Sequence, residues 1–273
     1  MSAAPLHLAG DAWLIRSRRP AHGGWQVHVN AMVLAGEEPV LVDTGARAAR
    51  EAYWSQVSSV VDPADVRWIF LSDDDADHVG NLAEALDRCP QATVVASWLL
   101  AQRLADAQAL PVGRTRWVAD GDAFDAGDRT LLAVRPPAYD SPATRGLFDE
   151  RTGVYWAADC FATPVPDDID EVAELDDAVW SAAFATYHGW LSPWVADVDP
   201  IRWRRAVGRV AALGATTIAS AHGPVIRGPR VARALDLALE LAGRPVRPEP
   251  RTAPPARGGA VDRMVAWGIT GGR

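Results

Sequence analysis

Cysteine is nearly absent: Cys89 and Cys160 are the only two in 273 residues. Two cysteines build neither a disulfide framework nor a cysteine-based zinc site, and their scarcity points to a reducing, cytoplasmic setting. Basic charge is also short. Lys and Arg total 27 against 35 Asp and Glu, a formal net charge of -8, which excludes a general nucleic-acid binder because such a protein needs a basic face to displace counterions. No apolar run approaches the ~18 residues that span a bilayer, and Met1 to Arg19 lacks the pattern of a signal peptide, so no membrane association is expected. No clear internal repeat is present.

What is there suffices for a substantial core: 49% of residues are hydrophobic and 23% charged, enough for one large domain or two small ones. The 12 tryptophans run from Trp13 to Trp267 without forming a stripe, which is the pattern of core and interface packing. Strand and helix patterns alternate. Trp25 to Leu34 reads as one half-buried strand, forming a hairpin with the run Pro39 to Asp43 across a Gly-Glu-Glu turn. Ala46–Val60 reads as a helix, Val66–Ser72 as a strand, Asn81–Cys89 as a helix, Ala92–Ala96 as a strand and Trp98–Ala109 as a helix. Further strands are expected at Thr115–Ala119, Arg129–Arg135, Gly153–Ala158 and Thr216–Ala221. Helices are expected over Glu171–Val195, broken near Pro193, from Asp199 with Pro200 at its first position, and over Val231–Ala242. This order predicts two sheets packed on each other with helices outside, in a domain over 1–243. Beyond Gly243 the composition turns to Pro, Arg and Gly, predicting a tail over 244–273.

The most informative stretch is Leu71-Ser-Asp-Asp-Asp-Ala-Asp-His-Val-Gly-Asn81, where an apolar strand runs into four carboxylates and an imidazole. Such crowding of anions is costly without a cation, so Asp73, Asp75, Asp77 and His78 are read as a metal loop. An EF-hand is excluded: its sixth position needs glycine and here holds His78, and a buried strand precedes the loop instead of a helix. Three more segments end predicted strands with polar residues. They carry Asp140 before Ser141-Pro142, Asp159 before Cys160, and His222 before Gly223-Pro224.

In this order the motifs resemble the metallo-β-lactamase superfamily, over roughly Trp25 to Gly228 and including Leu41-Val-Asp-Thr-Gly45. The resemblance implies an α/β fold, a four-layer αββα sandwich. It is nearest to the flavodiiron and oxygen-binding di-iron branch, because Asp75 stands at the acidic second ligand position and Ser220-Ala-His-Gly-Pro224 matches the final motif. Two positions depart from the family's histidines: Asp73 and Asp140. By resemblance, one metal position is held by Asp73, Asp75, Asp140 and the bridging Asp159, and the other by Asp77, His78, His222 and Asp159. The first set is all oxygen and the second keeps two imidazoles. The implied cofactor is therefore two metal ions, iron first, manganese next and zinc disfavoured, with the two-His position the better filled. Five carboxylates against two divalent ions leave about one net negative charge.

Around these residues, Tyr139 and His188 are the candidate catalytic groups: Tyr139, like Trp156, either packs under the sheet rim or walls a pocket, and His188 is either structural or an outer proton donor. Arg145 is expected to pair with a site carboxylate in preference to clamping an anionic substrate, because the site has excess negative charge. Cys160 is expected to be a small core residue. Asn30 and Asp43 are expected to orient the ligand loops. The function implied is a di-iron or Fe/Mn oxidoreductase or oxygen-binding protein acting on O2 or another small molecule. Electrons would come from a separate donor protein, since no flavodoxin segment follows, and a homodimer stays open. The alternatives are a metallo-hydrolase for an ester, lactone or thioester, which the anionic first position disfavours by lowering Lewis acidity, and a metal-poor sensory or scaffold module.

Overall fold

The computed structural model describes residues 4–21 and 24–243. The predicted tail over 244–273 lies outside the described residues. In chain order the strands are β1 Leu6–Ala9, β2 Ala12–Ile15, β3 Arg18–Pro20, β4 Gln26–His28, β5 Ala31–Leu34, β6 Val40–Val42, β7 Trp68–Phe70, β8 Thr93–Ala96, β9 Thr115–Trp117, β10 Ala123–Asp125, β11 Thr130–Val134, β12 Gly146–Asp149, β13 Val154–Trp156, β14 Thr217–Ala219 and β15 Ile226–Arg227. The helices are α1 Arg50–Val60, α2 Ala76–Val79, α3 Leu82–Arg88, α4 Trp98–Leu104, α5 Asp177–Leu191, α6 Pro200–Ala211 and α7 Pro229–Leu239. None of the described helices is long and apolar enough to cross a membrane.

The strands form two large sheets, in the orders β1-β2-β5-β6-β7-β8-β9 and β10-β11-β12-β13-β14-β15, with a small β3-β4 ribbon beside them. Side chains alternate across each strand, and this alternation builds the layers. Val40, Val42, Phe70 and Val95 of the first sheet meet Phe124, Leu131, Trp156 and Ala219 of the second in one core between the sheets. Leu41, Ile69 and Val94, on the opposite face, pack with Trp54 and Val57 of α1, Leu82 of α3 and Leu100 of α4. Tyr155 and Ile218 face outward from the second sheet onto Trp180 and Phe184 of α5, Trp203 of α6 and Leu237 of α7. The result is the expected αββα four-layer sandwich.

Local chemistry explains the element ends. At α6, the Asp199 carboxylate accepts the Ile201 and Arg202 N–H groups at 2.9 Å each, and Pro200 occupies the first turn. Trp203, Val207 and Val210 then fall on one buried face. The hairpin of β5 and β6 forms as expected, with Met32 opposite Val42. The single strand expected over Trp25–Leu34 is instead two, broken at Val29-Asn30. Asn30 is buried, and its donors reach the neighbouring sheet's end: its N–H donates to Ala221 O at 2.9 Å, and its side-chain amide to Ser220 O at 2.9 Å and Gly223 O at 3.0 Å. Several strands had no clear sequence signal. One is β12, where a Cβ on Gly146 would meet Trp156 O at 2.6 Å, so glycine alone allows the close pairing with β13.

Strands β6, β7, β8 and β9 run parallel, as do β13 and β14. Asp43 follows the end of β6, Asp73 the end of β7, Asp159 the end of β13 and His222 the end of β14. All four stand on one rim of the sandwich.

Candidate metal centre

Asp43 takes a left-handed backbone conformation, φ 61°, at the end of β6. Its Oδ1 accepts the Ser72 N–H at 2.7 Å and its Oδ2 accepts the Ser72 hydroxyl. The same Oδ2 lies 2.9 Å from His78 Nδ1. A carboxylate only accepts, so Nδ1 carries the proton and Nε2 is turned inward. That Nε2 stands 2.8 Å from Asp159 Oδ1. His222 is held in the same manner: its Nδ1 donates to His28 O at 2.9 Å, and its Nε2 lies 3.2 Å from Asp159 Oδ1 and 3.7 Å from Asp77 Oδ2. The two imidazoles stand edge to face, 5.5 Å apart. Ligand atoms of Asp77, His78 and His222 lie within 4.8 Å of one another.

A second trio, Asp73, Asp140 and Asp159, meets the same spacing with oxygen atoms alone. Asp159 touches both groups, which places it between them. Asp73 is fixed by its own loop: Oδ1 accepts the Asp74 and Asp75 N–H groups at 2.7 and 3.3 Å, and Oδ2 accepts the Thr144 hydroxyl. Asp75 keeps this spacing with Asp73 and Asp74, a different trio from the one containing Asp159. Asp74 itself is engaged by Arg103 Nε at 2.5 Å and Ser141 Oγ at 3.1 Å.

The electrostatics record the crowding. Burial and the charge of Asp159 push the Asp73 carboxyl well above the usual range, raise Asp75, and raise Asp140 to about 6. Burial alone would raise Asp159 too, yet the His78 and His222 imidazoles hold it far below that range. In return, and against the effect of burial, Asp159 with Asp43 raises His78, and Asp159 with Asp77 raises His222. Protons therefore stand where positive charge is needed. Among the described residues, His78 Nε2 and Asp159 Oδ1, although 2.8 Å apart, make no aligned hydrogen bond with each other or any other group. Buried polar atoms normally find partners, and two imidazoles with carboxylates are the donor set of a divalent transition metal. The residues fit such an ion.

The other expected residues are differently placed. His188 is buried with both ring nitrogens engaged: Nδ1 donates to Phe184 O at 2.9 Å and Nε2 accepts the Phe161 N–H at 3.0 Å. Burial holds its imidazole down at about 4, and in this arrangement both ring nitrogens are spent on backbone groups, one of them in the turn after Asp159. Tyr139 is half-buried, its ring 4.7 Å from Trp194 and its carbonyl accepting Trp194 Nε1 at 2.8 Å. Arg145 departs from its expectation: among the described residues it pairs with no carboxylate and instead donates to the carbonyls of Pro142, Ala143 and Thr144 at 3.1, 3.4 and 2.7 Å. Trp156 is fully buried in the core. Burial pushes the Cys160 thiol up to about 12, as suits a core residue.

Two residues near the centre carried no sequence signal of their own. Tyr187 of α5 is buried with its ring 6.2 Å from His222, and Arg19 of β3 reaches Asp77 at 3.6 Å. The first differs from its neighbour His188 only in helical phase, and the second belongs to a strand too short to show a pattern.

Known proteins share both sequence and shape with this chain. The model described as ODP family beta lactamase matches residues 27–223. Diflavin flavoprotein A 1 of Synechocystis sp. (strain PCC 6803) is 26% identical over 201 residues, 72% of this chain and 34% of that protein. The chain thus spans about a third of the length of this relative. The flavodiiron protein from Giardia intestinalis superposes with a TM-score of 0.75 at 16% identity, covering 86% of this chain and 58% of that one. Rubredoxin oxygen:oxidoreductase from Desulfovibrio gigas superposes with a TM-score of 0.72 at 16% identity, covering 86% and 61%.

Proposed function

The chain belongs to the ODP family of beta lactamase proteins, and from that premise we propose that it is the metal-binding core of a di-iron-type oxidoreductase or oxygen-binding protein. The single observation that carries the reading is the position of Asp159: one carboxylate oxygen, without an aligned hydrogen bond, faces the inward nitrogens of His78 and His222. Asp77, His78, His222 and Asp159 would hold one ion. Asp73, Asp140 and Asp159, with Asp75 in reach of Asp73, would hold a second, harder one. Iron held by these residues would supply the electrons for reducing or binding O2 or a related small oxidant.

The chain's own residues set the conditions for that chemistry. Asp43 keeps His78 in the tautomer that presents Nε2, and its charge makes the imidazole a stronger donor. The His28 carbonyl fixes the same tautomer in His222, without a formal charge. The carboxylate-rich first position lowers Lewis acidity, which favours redox over hydrolytic use of the site. The diflavin and flavodiiron relatives support a redox donor that delivers electrons to this unit.

The test is expression with iron, manganese and zinc in competition, followed by metal analysis and visible spectroscopy under argon and in air. Iron uptake with a band that changes on exposure to air is the expected result. A colourless zinc-loaded protein that cleaves chromogenic esters would make the chain a hydrolase, and refusal of every metal would make it a scaffold.

A further inference from the structure

Strand β3 directs two arginines to opposite faces, since successive side chains of a strand alternate. Arg18 turns to Asp168 and Asp170. Arg19 turns the other way, its Nη2 3.6 Å from Asp77 Oδ2. The register confirms the face: Arg19 pairs with Val27, and Val27 packs with Ala162 and Tyr187, whose ring lies 6.2 Å from that of His222. Arg19 thus reaches the centre from the side of Tyr187. Its side chain is 53% exposed and that of Asp77 17%, so the guanidinium borders both solvent and the partly buried Asp77 carboxylate.

The neighbouring cations are engaged elsewhere. Arg103 is held by Asp74 at 2.5 Å, and Arg145 by three carbonyls. The contact of Arg19 with Asp77 is longer than a hydrogen bond. Once a metal ion draws on the Asp77 carboxylate, the hold on Arg19 weakens and its planar array of donors is available to another anion. The centre otherwise repels anions, because its carboxylates outweigh two divalent ions by about one charge.

Resting on the function proposed above, we infer that Arg19 makes the mouth of the centre an anion-holding position, where a small monovalent anion, whether substrate or reduced product, is held by the guanidinium beside the two-His metal. Arg19 selects by charge. It holds no metal, and neutral ligands do not need it.

Azide serves as the probe. The iron-loaded chain, its Arg19→Gln variant and its Arg19→Lys variant are titrated with azide in the oxidised state, followed by the ligand-to-metal band, and with nitric oxide in the reduced state. Metal content is measured in parallel. The expected result is azide binding weakened about tenfold or more in Arg19→Gln, with iron content and nitric oxide affinity unchanged, and recovery to within about threefold in Arg19→Lys, which restores the charge without the planar fork. Equal azide affinity in Arg19→Gln and the parent, at full iron content, overturns this inference alone. So does parallel loss of azide and nitric oxide, or loss of iron, since Arg19 would then only balance Asp77. A parent chain that takes up no iron overturns the proposed function and this inference with it.

Discussion

His78 and Asp43 form a closed pair at the junction of two strand ends: Nδ1 and Oδ2 stand 2.9 Å apart, with side chains 1% and 0% exposed. The pair fixes one imidazole before any ion arrives. Asp43→Asn tests it cleanly, because asparagine tolerates the left-handed backbone at this position. We expect a folded protein with about 10–100-fold weaker metal binding, read by competition with a chromogenic chelator. Unchanged affinity would remove Asp43 from the account of the site.

The two metal positions should fail separately. His222→Ala is expected to abolish the two-His position, whereas Asp73→Ala lowers occupancy of the all-oxygen one and leaves the two-His position in place. Metal analysis of both variants decides, and equal losses count against an asymmetric centre.

The metal-free protein should lose stability as pH rises above neutral. His78 and His222 have values raised above the ordinary 6.5. Their contribution is present in full below that unfolded value and disappears as pH climbs through the raised folded value. Metal takes the place of those protons. Melting temperatures measured from pH 6 upward should therefore fall for the metal-free chain and stay nearly level for the loaded one. Parallel profiles would deny that the imidazoles carry charge in the metal-free fold.

Asn30 ties the two sheets together at the rim. Asn30→Ala leaves the carbonyls of Ser220 and Gly223 without its amide, a cost of about 1–3 kcal/mol. Because those carbonyls flank His222, metal affinity should fall together with the melting temperature. A stability loss with intact affinity would make Asn30 a packing residue only.

Much of this was readable from the residues, for physical reasons. Strands β6, β7, β8, β13 and β14 are buried on both faces and announce themselves as apolar runs, and the polar residues that end them form the rim. The short pieces were silent. Strand β3 has three residues, two of them arginines, and β12 depends on the approach of Gly146 to Tyr155 and Trp156. The break in Trp25–Leu34 was hidden because the carbonyls that accept from Asn30 lie some 190 residues away. Arg145 misled for the opposite reason. Charge favoured a carboxylate, but the fold of residues 142–144 brings three carbonyls nearer. His188 showed its chemistry in the sequence and concealed its setting, since only the packed helix reveals that both nitrogens are taken.

The parallel pairing of β13 with β14 also governs when the centre can come into being. Asp159 and His222 arrive side by side although 63 positions apart, and a parallel partner must wait for its whole crossover to be laid down. On the ribosome, the emerging chain exposes Asp73, Asp75, Asp77 and His78 long before their last companion has been translated. An ion met early by this half-built loop would lack its last donors, so on the proposed function loading would belong to the final stage of maturation, after the second sheet has closed.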